Sequence, residues 1–261
     1  MLALTSLEPE EARRLRGVLF DLDDTFLSHG LLSRAAYGAL WDLKDAGLAA
    51  VPVTGRPSDW GQMLARQWPV AGCVTENGAV HFVRDAGGVR RLDACDDVER
   101  ARRRARLASL VERVRQSVPE ATLTQDAHMR SSDVTWDVAE RAQLSADVVR
   151  RIVREIEAAG ARWSQSSVHL HATFDLDDKA SGAVRFCVRE LGDDAGAVLA
   201  RYAFVGDSGN DAPCFSAFRT TFGVANVRAS LGRLGVTPRY VAPSTAGEGF
   251  AEIVAALLSR R

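Results

Sequence analysis

Phe20-Asp21-Leu22-Asp23-Asp24-Thr25 is the stretch on which the fold turns. It follows the apolar run Gly17-Val18-Leu19-Phe20 directly, so a buried strand ends where two carboxylates, two residues apart, begin. In open α/β sheets, ligands bind beyond the carboxyl ends of the strands. Two carboxylates at that edge can hold a divalent cation and leave one oxygen free to attack. Acidic pairs also cap strands or face water, so a site here needs matching parts elsewhere in the chain.

Outward from this stretch, strand and helix alternate. A helix is predicted from about Ser33 to Ala46, with Leu40 and Leu43 on one face and Gly47 as its stop. Ala49 to Val53 reads as a second buried strand, ending at Thr54-Gly55-Arg56-Pro57. Gly55 lets backbone approach a ligand closely, and Pro57 suits the first turn of a helix reaching Gln67. Gly72 to Thr75 is a third strand, and Asn77-Gly78 is a hairpin signal into Ala79 to Val83. From Lys179 the alternation resumes: a helix to Leu191, a strand from Tyr202 to Val205, and the loop Gly206-Asp207-Ser208-Gly209-Asn210-Asp211. A short helix, a strand near Thr221 to Val224, another short helix, a strand at Tyr240-Val241 and a final helix over about Phe250 to Ser259 follow. The predicted fold class is α/β: a Rossmann-like parallel sheet with helices on both faces.

Residues 85–172 have another character. A long helix from about Asp97 to Ser117 is ended by Pro119, and strands are expected near Ala121 to Gln125 and Val134 to Val138. A second helix starts at the cap Ser145 and ends at Gly160, before strands over Ala161 to Gln165 and Val168 to Phe174. The expectation is a core of residues 1–84 and 173–261 carrying an inserted α+β domain of residues 85–172. Phe-Asp-Leu-Asp-Asp recurs at residues 174–178, after a half-polar strand and before Lys179, and is read as an acidic domain crossover.

Composition narrows the function. The net charge is −1, so no global field draws the chain to nucleic acid or an anionic membrane, and neither partner is expected. The arginine-dense run Arg100 to Arg106 reads as a solvated helix face. Cys73, Cys95, Cys187 and Cys214 are widely spaced, without CxxC or zinc-finger spacing, as in reduced cytoplasmic proteins. The first residues lack a basic n-region and a long apolar core, so no signal peptide is expected, nor does any apolar stretch approach the ~20 residues of a membrane span.

In a parallel sheet, the loops after successive strands open on one edge. Asp21 and Asp23, Thr54 and Gly55, Lys179, and Asp207 with Asn210 and Asp211 can therefore converge. Together they supply what phosphoryl transfer needs: an in-line nucleophile, carboxylates suited to Mg²⁺, and hydrogen-bonding or cationic clamps. Thr54 offers a hydroxyl and a backbone N–H to a phosphate oxygen, and Lys179 a point charge.

Asp21-Leu22-Asp23-Asp24-Thr25, Val53-Thr54-Gly55-Arg56, Lys179 and Gly206-Asp207-Ser208-Gly209-Asn210-Asp211 resemble, in order, the four motifs of the haloacid dehalogenase (HAD) superfamily. The insertion between the second and third motifs resembles the type IIB cap of Cof-like and sugar phosphatases, and Glu76-Asn77-Gly78-Ala79 resembles a loop of that subgroup. The resemblance implies Asp21 as the nucleophile forming an aspartyl-phosphate and Asp23 as general acid and base. It implies Mg²⁺ held by Asp21, the Asp23 carbonyl and Asp207, with Asp211 in support. Thr54, Gly55, Lys179 and Asn210 are implied at the phosphoryl group. The substrate implied is a small phosphorylated metabolite, most readily a sugar phosphate. Asp23 speaks against dehalogenation, which uses no second acidic residue there.

Substrate choice should come from the cap. Arg130, His128, Trp136, Ser166, His169 and His171 lie on or beside its strands, and Arg130 is a candidate clamp for a second anion. His169 and His171 share a strand face and are candidate contacts for sugar hydroxyls. A serine-esterase reading of Ser208 lacks a histidine after it, and Asn210 stands where the elbow needs glycine. A non-catalytic phosphate-ligand sensor would have no need of both Asp21 and Asp23.

Overall fold

The computed structural model describes residues 1–166 and 168–261. β1 (Leu2–Ala3) and α1 (Pro9–Arg14) precede β2 (Gly17–Phe20), the strand beneath the acidic stretch. The loop after β2 forms a small hairpin of β3 (Leu27–Ser28) and β4 (Leu31–Leu32). Then come α2 (Arg34–Asp45), β5 (Ala49–Pro52), α3 (Ser58–Gln67), β6 (Gly72–Thr75), β7 (Val80–Asp85) and β8 (Gly88–Asp93). The insertion holds α4 (Asp97–Ser117), β9 (Asp133–Asp137), α5 (Ala146–Ala158), β10 (Arg162–Gln165) and β11 (His169–Thr173). The chain closes with α6 (Lys179–Glu190), α7 (Ala195–Arg201), β12 (Tyr202–Gly206), α8 (Ala212–Ala217), β13 (Thr220–Gly223), α9 (Val227–Ser230), β14 (Tyr240–Val241) and α10 (Ala246–Leu258).

The central sheet has the order β1-β14-β13-β12-β2-β5, and every pair is parallel. β2 is buried from end to end because helices cover both faces, which is why it reads as an unbroken apolar run. Phe20 joins Leu40, Phe250 and Ile253 on the α2 and α10 side, while Leu19 joins Phe186, Val198 and Cys214 on the α6, α7 and α8 side. Phe20 pairs with Val205, so the loops that carry Asp21 and Asp207 leave the sheet side by side. β6 joins beyond β5 through the Val53–Val74 bridge and continues antiparallel into β7 and β8.

In the insertion, β10-β11-β9 form an antiparallel sheet. One face packs through Trp136 and Leu170 on Leu107, Leu110 and Val114 of α4 and on Ile152 and Ile156 of α5. The alternate residues, Thr135 and His171 among them, form a polar opposite face. Trp136 thus belongs to the apolar core of this domain and offers nothing to a ligand.

Several expectations need correction. Residues 121–125 are not a strand: they touch β9 only through the Leu123–Trp136 bridge and flanking backbone bonds. Thr124 turns the chain away by donating from Oγ1 to Asp126 Oδ1 at 2.6 Å and accepting from Ala127 N at 3.1 Å. β8 was not expected; the Gly87-Gly88 turn returns the chain onto β7. α7 was hidden by Asp193-Asp194-Ala195-Gly196, which reads as a loop, although Asp194 caps the helix by accepting from Gly196 N at 3.0 Å. α10 starts at Ala246, ahead of the expected Phe250. Arg100 to Arg106 is solvated only in part: Arg102, Arg104 and Arg106 are exposed, though Arg106 stacks 3.7 Å over the Phe174 ring, whereas Arg100 and Arg103 turn inward to pair with buried Asp175. Among the described residues, no helix is long and apolar enough to cross a membrane.

Candidate active site

Lys179, at the first position of α6, places Nζ 2.6 Å from Asp21 Oδ1 and 2.7 Å from Asp211 Oδ1. Asp178 caps α6, accepting from Ser181 N at 2.9 Å while Ser181 Oγ accepts from Asp178 N at 2.9 Å. The loop after β6 meets α6 backbone to backbone: a Cβ on Gly78 would lie 2.2 Å from Asp178 O, and one on Gly182 would lie 2.3 Å from Gly78 Cα. Only glycine fits at either position.

Asp21 is held by β2, its N–H donating to Val205 O at 2.9 Å. Asp211 Oδ2 accepts from Asp207 N at 2.8 Å and Ser208 N at 3.0 Å, so this carboxylate braces the loop after β12. Asp207 accepts from Thr25 Oγ1 at 3.0 Å and from Asn226 Nδ2 at 2.9 Å. Oxygens of Asp21, Asp207 and Asp211 come within 4.8 Å of one another, all in buried side chains. Of the site residues expected from sequence, these three and Lys179 form one cluster.

Three buried carboxylates facing one ammonium leave excess negative charge. Burial pushes the Asp21 carboxyl up to about 7, against the opposing pull of Lys179 and with help from Asp211 and Asp23. Burial, then Asp211 and Asp21, also raise Asp207 well above the usual carboxylate range. Burial disfavours the charged Lys179, but Asp21 and Asp211 outweigh it and hold the ammonium above its usual pKa. The donor set is all oxygen, anionic and crowded, which fits a hard divalent cation such as Mg²⁺.

Asp23 stands at the mouth of this cluster rather than in it. Arg56 grips it with Nε 3.1 and 3.0 Å from the two carboxylate oxygens and Nη2 2.5 Å from Oδ1. The guanidinium in turn stacks 3.9 Å over the Trp60 ring. The Thr54 N–H already donates to Val74 O at 2.9 Å, so its hydroxyl, which accepts from Arg56 N at 3.1 Å, is the group left to donate. Asn210 Oδ1 accepts from Ser208 Oγ at 2.9 Å, and its Nδ2 donates to Asn77 Oδ1 at 3.3 Å.

A cavity of about 540 Å³ separates this edge from the polar face of the insertion, lined by Asp21, Asp23, Arg56 and Trp60 on one side and Arg130, Ser166, His169 and His171 on the other. A second cavity of about 520 Å³ meets it at Ser166, His171, Ser208 and Asn210. Arg130, the candidate anion clamp, is engaged within the protein. It is buried, bound to both oxygens of Asp133 at 3.0 and 3.1 Å and to Asp126 at 3.2 Å, and its Nη1 donates to Gly55 O at 2.9 Å. Ser166 closes the β10–β11 turn, accepting from His169 N at 3.1 Å, and His169 Nε2 faces Glu140 Oε2 at 2.9 Å. His128 is exposed and bonds locally to Gln125 O at 3.1 Å. The sequence reading gave no role to Arg56, though it lies in a quoted motif, and missed Asn226; the signal for the latter was its place just after β13, on the same sheet edge.

The second Phe-Asp-Leu-Asp-Asp is structural. Asp175 is buried and takes Arg100 at 2.6 and 3.2 Å and Arg103 at 2.8 Å, while Leu176, facing outward, is 82% exposed. Removing one partner of a buried ion pair strands the others, so Asp175→Asn should cost about 3 kcal/mol in urea unfolding. Asp21→Asn relieves crowding among like charges and should unfold at equal or higher urea in metal-free buffer. The opposite ranking would contradict this electrostatic account.

No family model and no curated protein matches the sequence. Solved structures do. Sucrose-phosphatase from Synechocystis, in complex with sucrose and phosphate, aligns at TM-score 0.67 and 15% identity over 93% of this chain and 98% of its own. The C-terminal domain of trehalose-6-phosphate phosphatase from Candida albicans aligns at TM-score 0.68 and 12% identity, over 96% and 95%. A phosphatase of the HAD enzyme superfamily from Bacteroides thetaiotaomicron aligns at TM-score 0.66 and 18% identity, over 97% and 98%. TM-scores of 0.66 to 0.68 over nearly the whole of each chain point one way: the chain has the fold of these phosphatases, that of the haloacid dehalogenase superfamily.

Proposed function

We propose that the protein is a Mg²⁺-dependent phosphatase acting on a small phosphomonoester, most readily a sugar phosphate. The observation that carries this reading is the buried cluster of Asp21, Asp207, Asp211 and Lys179 at the carboxyl edge of the sheet. For the layout we propose residues 1–84 and 173–261 as the catalytic core and 85–172 as the cap; β8, at the start of that insertion, pairs with β7 and continues the core's hairpin. Four cysteines outside any disulfide suit a cytoplasmic setting.

Asp21 attacks the phosphorus, forming an aspartyl-phosphate as the ester bond breaks. Asp23 gives its proton to the departing alkoxide. It then takes a proton from the water that attacks the phosphorus, releasing phosphate and restoring Asp21. Arg56, itself in the cavity lining, holds Asp23 at the cavity's edge by both carboxylate oxygens. Lys179 and the Thr54 hydroxyl hold phosphoryl oxygens, with Gly55 and Asn210 beside them. Mg²⁺ would be held by Asp21, Asp207 and the Asp23 carbonyl, with Asp211 in support, and when bound it neutralises charge on the phosphoryl oxygens. The test is phosphate release from a panel of phosphorylated metabolites, with Mg²⁺ and with chelator, by wild type and Asp21→Asn. Absence of turnover on every substrate by wild type would point instead to a phosphate-ligand sensor.

Stability should report the metal separately. The folded pKa of Asp21, about 7, lies above its ordinary value of 3.8. Its neutral form therefore favours the metal-free fold at low pH, and that contribution is lost as pH rises through about 7. A cation needs the ionised carboxylates, so the rise in melting temperature on adding Mg²⁺ should be larger at about pH 8 than at about pH 5.5. Equal increments at both values would contradict the proposed site.

A further inference from the structure

The polar face of the cap sheet holds one side chain whose chemistry is fixed by its neighbours. His171 is buried, with Nδ1 2.9 Å from Asp133 Oδ2 and 3.2 Å from Thr135 Oγ1. Asp133 also takes Arg130 Nη1 at both oxygens, so it stays a carboxylate and can only accept. Burial alone would raise Asp133, but Arg130 and His171 outweigh it and hold its pKa below the ordinary value. The proton shared with His171 therefore rides on Nδ1. Burial keeps the ring neutral, outweighing the attraction of Asp133.

A neutral imidazole with Nδ1 protonated presents a lone pair at Nε2. Among the described residues, Nε2 has no hydrogen-bond partner, whereas Nδ1 has two. The ring lines both cavities, and its Cε1 lies 3.3 Å from where a Cβ on Gly55 would stand, directly over the Thr54-Gly55 loop. Of the cations lining the two cavities, the buried or half-buried ones are engaged by carboxylates: Arg56 by Asp23, Arg130 by Asp126 and Asp133, Lys179 by Asp21 and Asp211; Arg141 and Arg162, also in the lining, are exposed. Among the described residues, the space beside the phosphoryl position thus offers a fixed acceptor and no uncommitted buried cation.

We propose that His171 Nε2 accepts a hydrogen bond from a hydroxyl of the leaving group, and so selects phosphomonoesters of neutral, polyhydroxylated alcohols over alkyl esters. This rests on the phosphatase reading above. Asp133 is then a positioning residue that sets the tautomer, and Arg130 holds Asp133.

Three esters separate the possibilities: glucose 6-phosphate, n-hexyl phosphate with the same number of carbons and no hydroxyl, and acetyl phosphate as a measure of the chemical step. Wild type should favour glucose 6-phosphate over n-hexyl phosphate by at least about tenfold in kcat/KM. His171→Phe should erase that preference, chiefly through KM, while acetyl phosphate turnover stays within about twofold. Loss of activity in equal proportion on all three esters, or a preference that survives in a folded His171→Phe, would overturn the assignment. Long-range ¹H–¹⁵N spectra of the wild-type protein supply a second readout that needs no variant. They should show a bare Nε2 on His171 that shifts on adding glucose with inorganic phosphate; a protonated Nε2, or no shift, counts against it. Failure of the phosphatase reading would look different: wild type hydrolyses none of the three esters, and the spectra alone then decide whether His171 receives a hydroxyl.

Discussion

Asp21→Asn is expected to lower kcat for Mg²⁺-dependent phosphate release by about 10⁴-fold or more, since an amide of the same shape cannot form the acyl-phosphate bond. The size follows from what the substitution leaves alone. Asp207 keeps its bonds to Thr25 and Asn226, and Asp211 keeps Lys179 and the backbone of its own loop. The fold should lose nothing, because the side chain removed is one whose burial and acidic neighbours already disfavour its charge. An inactive variant with wild-type or better stability is thus the diagnostic outcome. Phosphate release within tenfold of wild type would remove Asp21 from the mechanism. Asp175→Asn supplies the control from within the chain: it alters the same five-residue motif and should keep near-normal turnover, measured where the variant is still folded.

The second large effect is expected at Glu76, where the core meets the cap. Its carboxylate is buried and accepts from Ser58 N at 3.1 Å, from Ser131 Oγ at 3.1 Å and N at 3.0 Å, and from Ser132 N and Oγ, both at 2.6 Å. The residue also holds φ at 50°, a left-handed conformation that costs a non-glycine side chain energy. Glu76→Ala would strand five donors, three of them backbone groups, and should destabilise the protein by about 4 kcal/mol in urea unfolding. Glu76→Gln keeps the shape but turns an acceptor into a donor, and should fall between wild type and Glu76→Ala. A loss under about 1 kcal/mol for Glu76→Ala would mean that the join between core and cap rests on other contacts.

Legibility in the sequence followed the range of the interactions. β2 showed itself because a strand covered on both faces is apolar at every position, and α5 because Ser145 and the stripe through Ile152 and Ile156 are local signals. The loops at the sheet edge could be matched by chain order alone, and Asp21, Lys179, Asp207 and Asp211 meet there. Pairings across long separations left no such mark. Arg56 and Asp23 are 33 positions apart, and Arg100 and Asp175 are 75 apart. Nearer pairs can be hidden too: the charge of Arg130 looked free for a ligand because the spacing of Asp126 and Asp133, four residues before it and three after, does not by itself say that both fold back on it. His171 looked interchangeable with His169 for the same reason: strand alternation places both on one face but does not say which of them a buried carboxylate holds.

The close approach of Gly78 and Gly182 has its own consequence. Neither residue carries a functional group, and a search of the chain for chemistry passes over both. Yet the distance between the two backbones fixes how far α6 can advance, and the first residue of α6 is Lys179. A single added methyl at either glycine would drive the helix outward and carry the ammonium with it, away from Asp21 and Asp211. The position of the ammonium within this acidic cluster is therefore governed from behind by two residues that do not line the cavity, through the absence of a side chain.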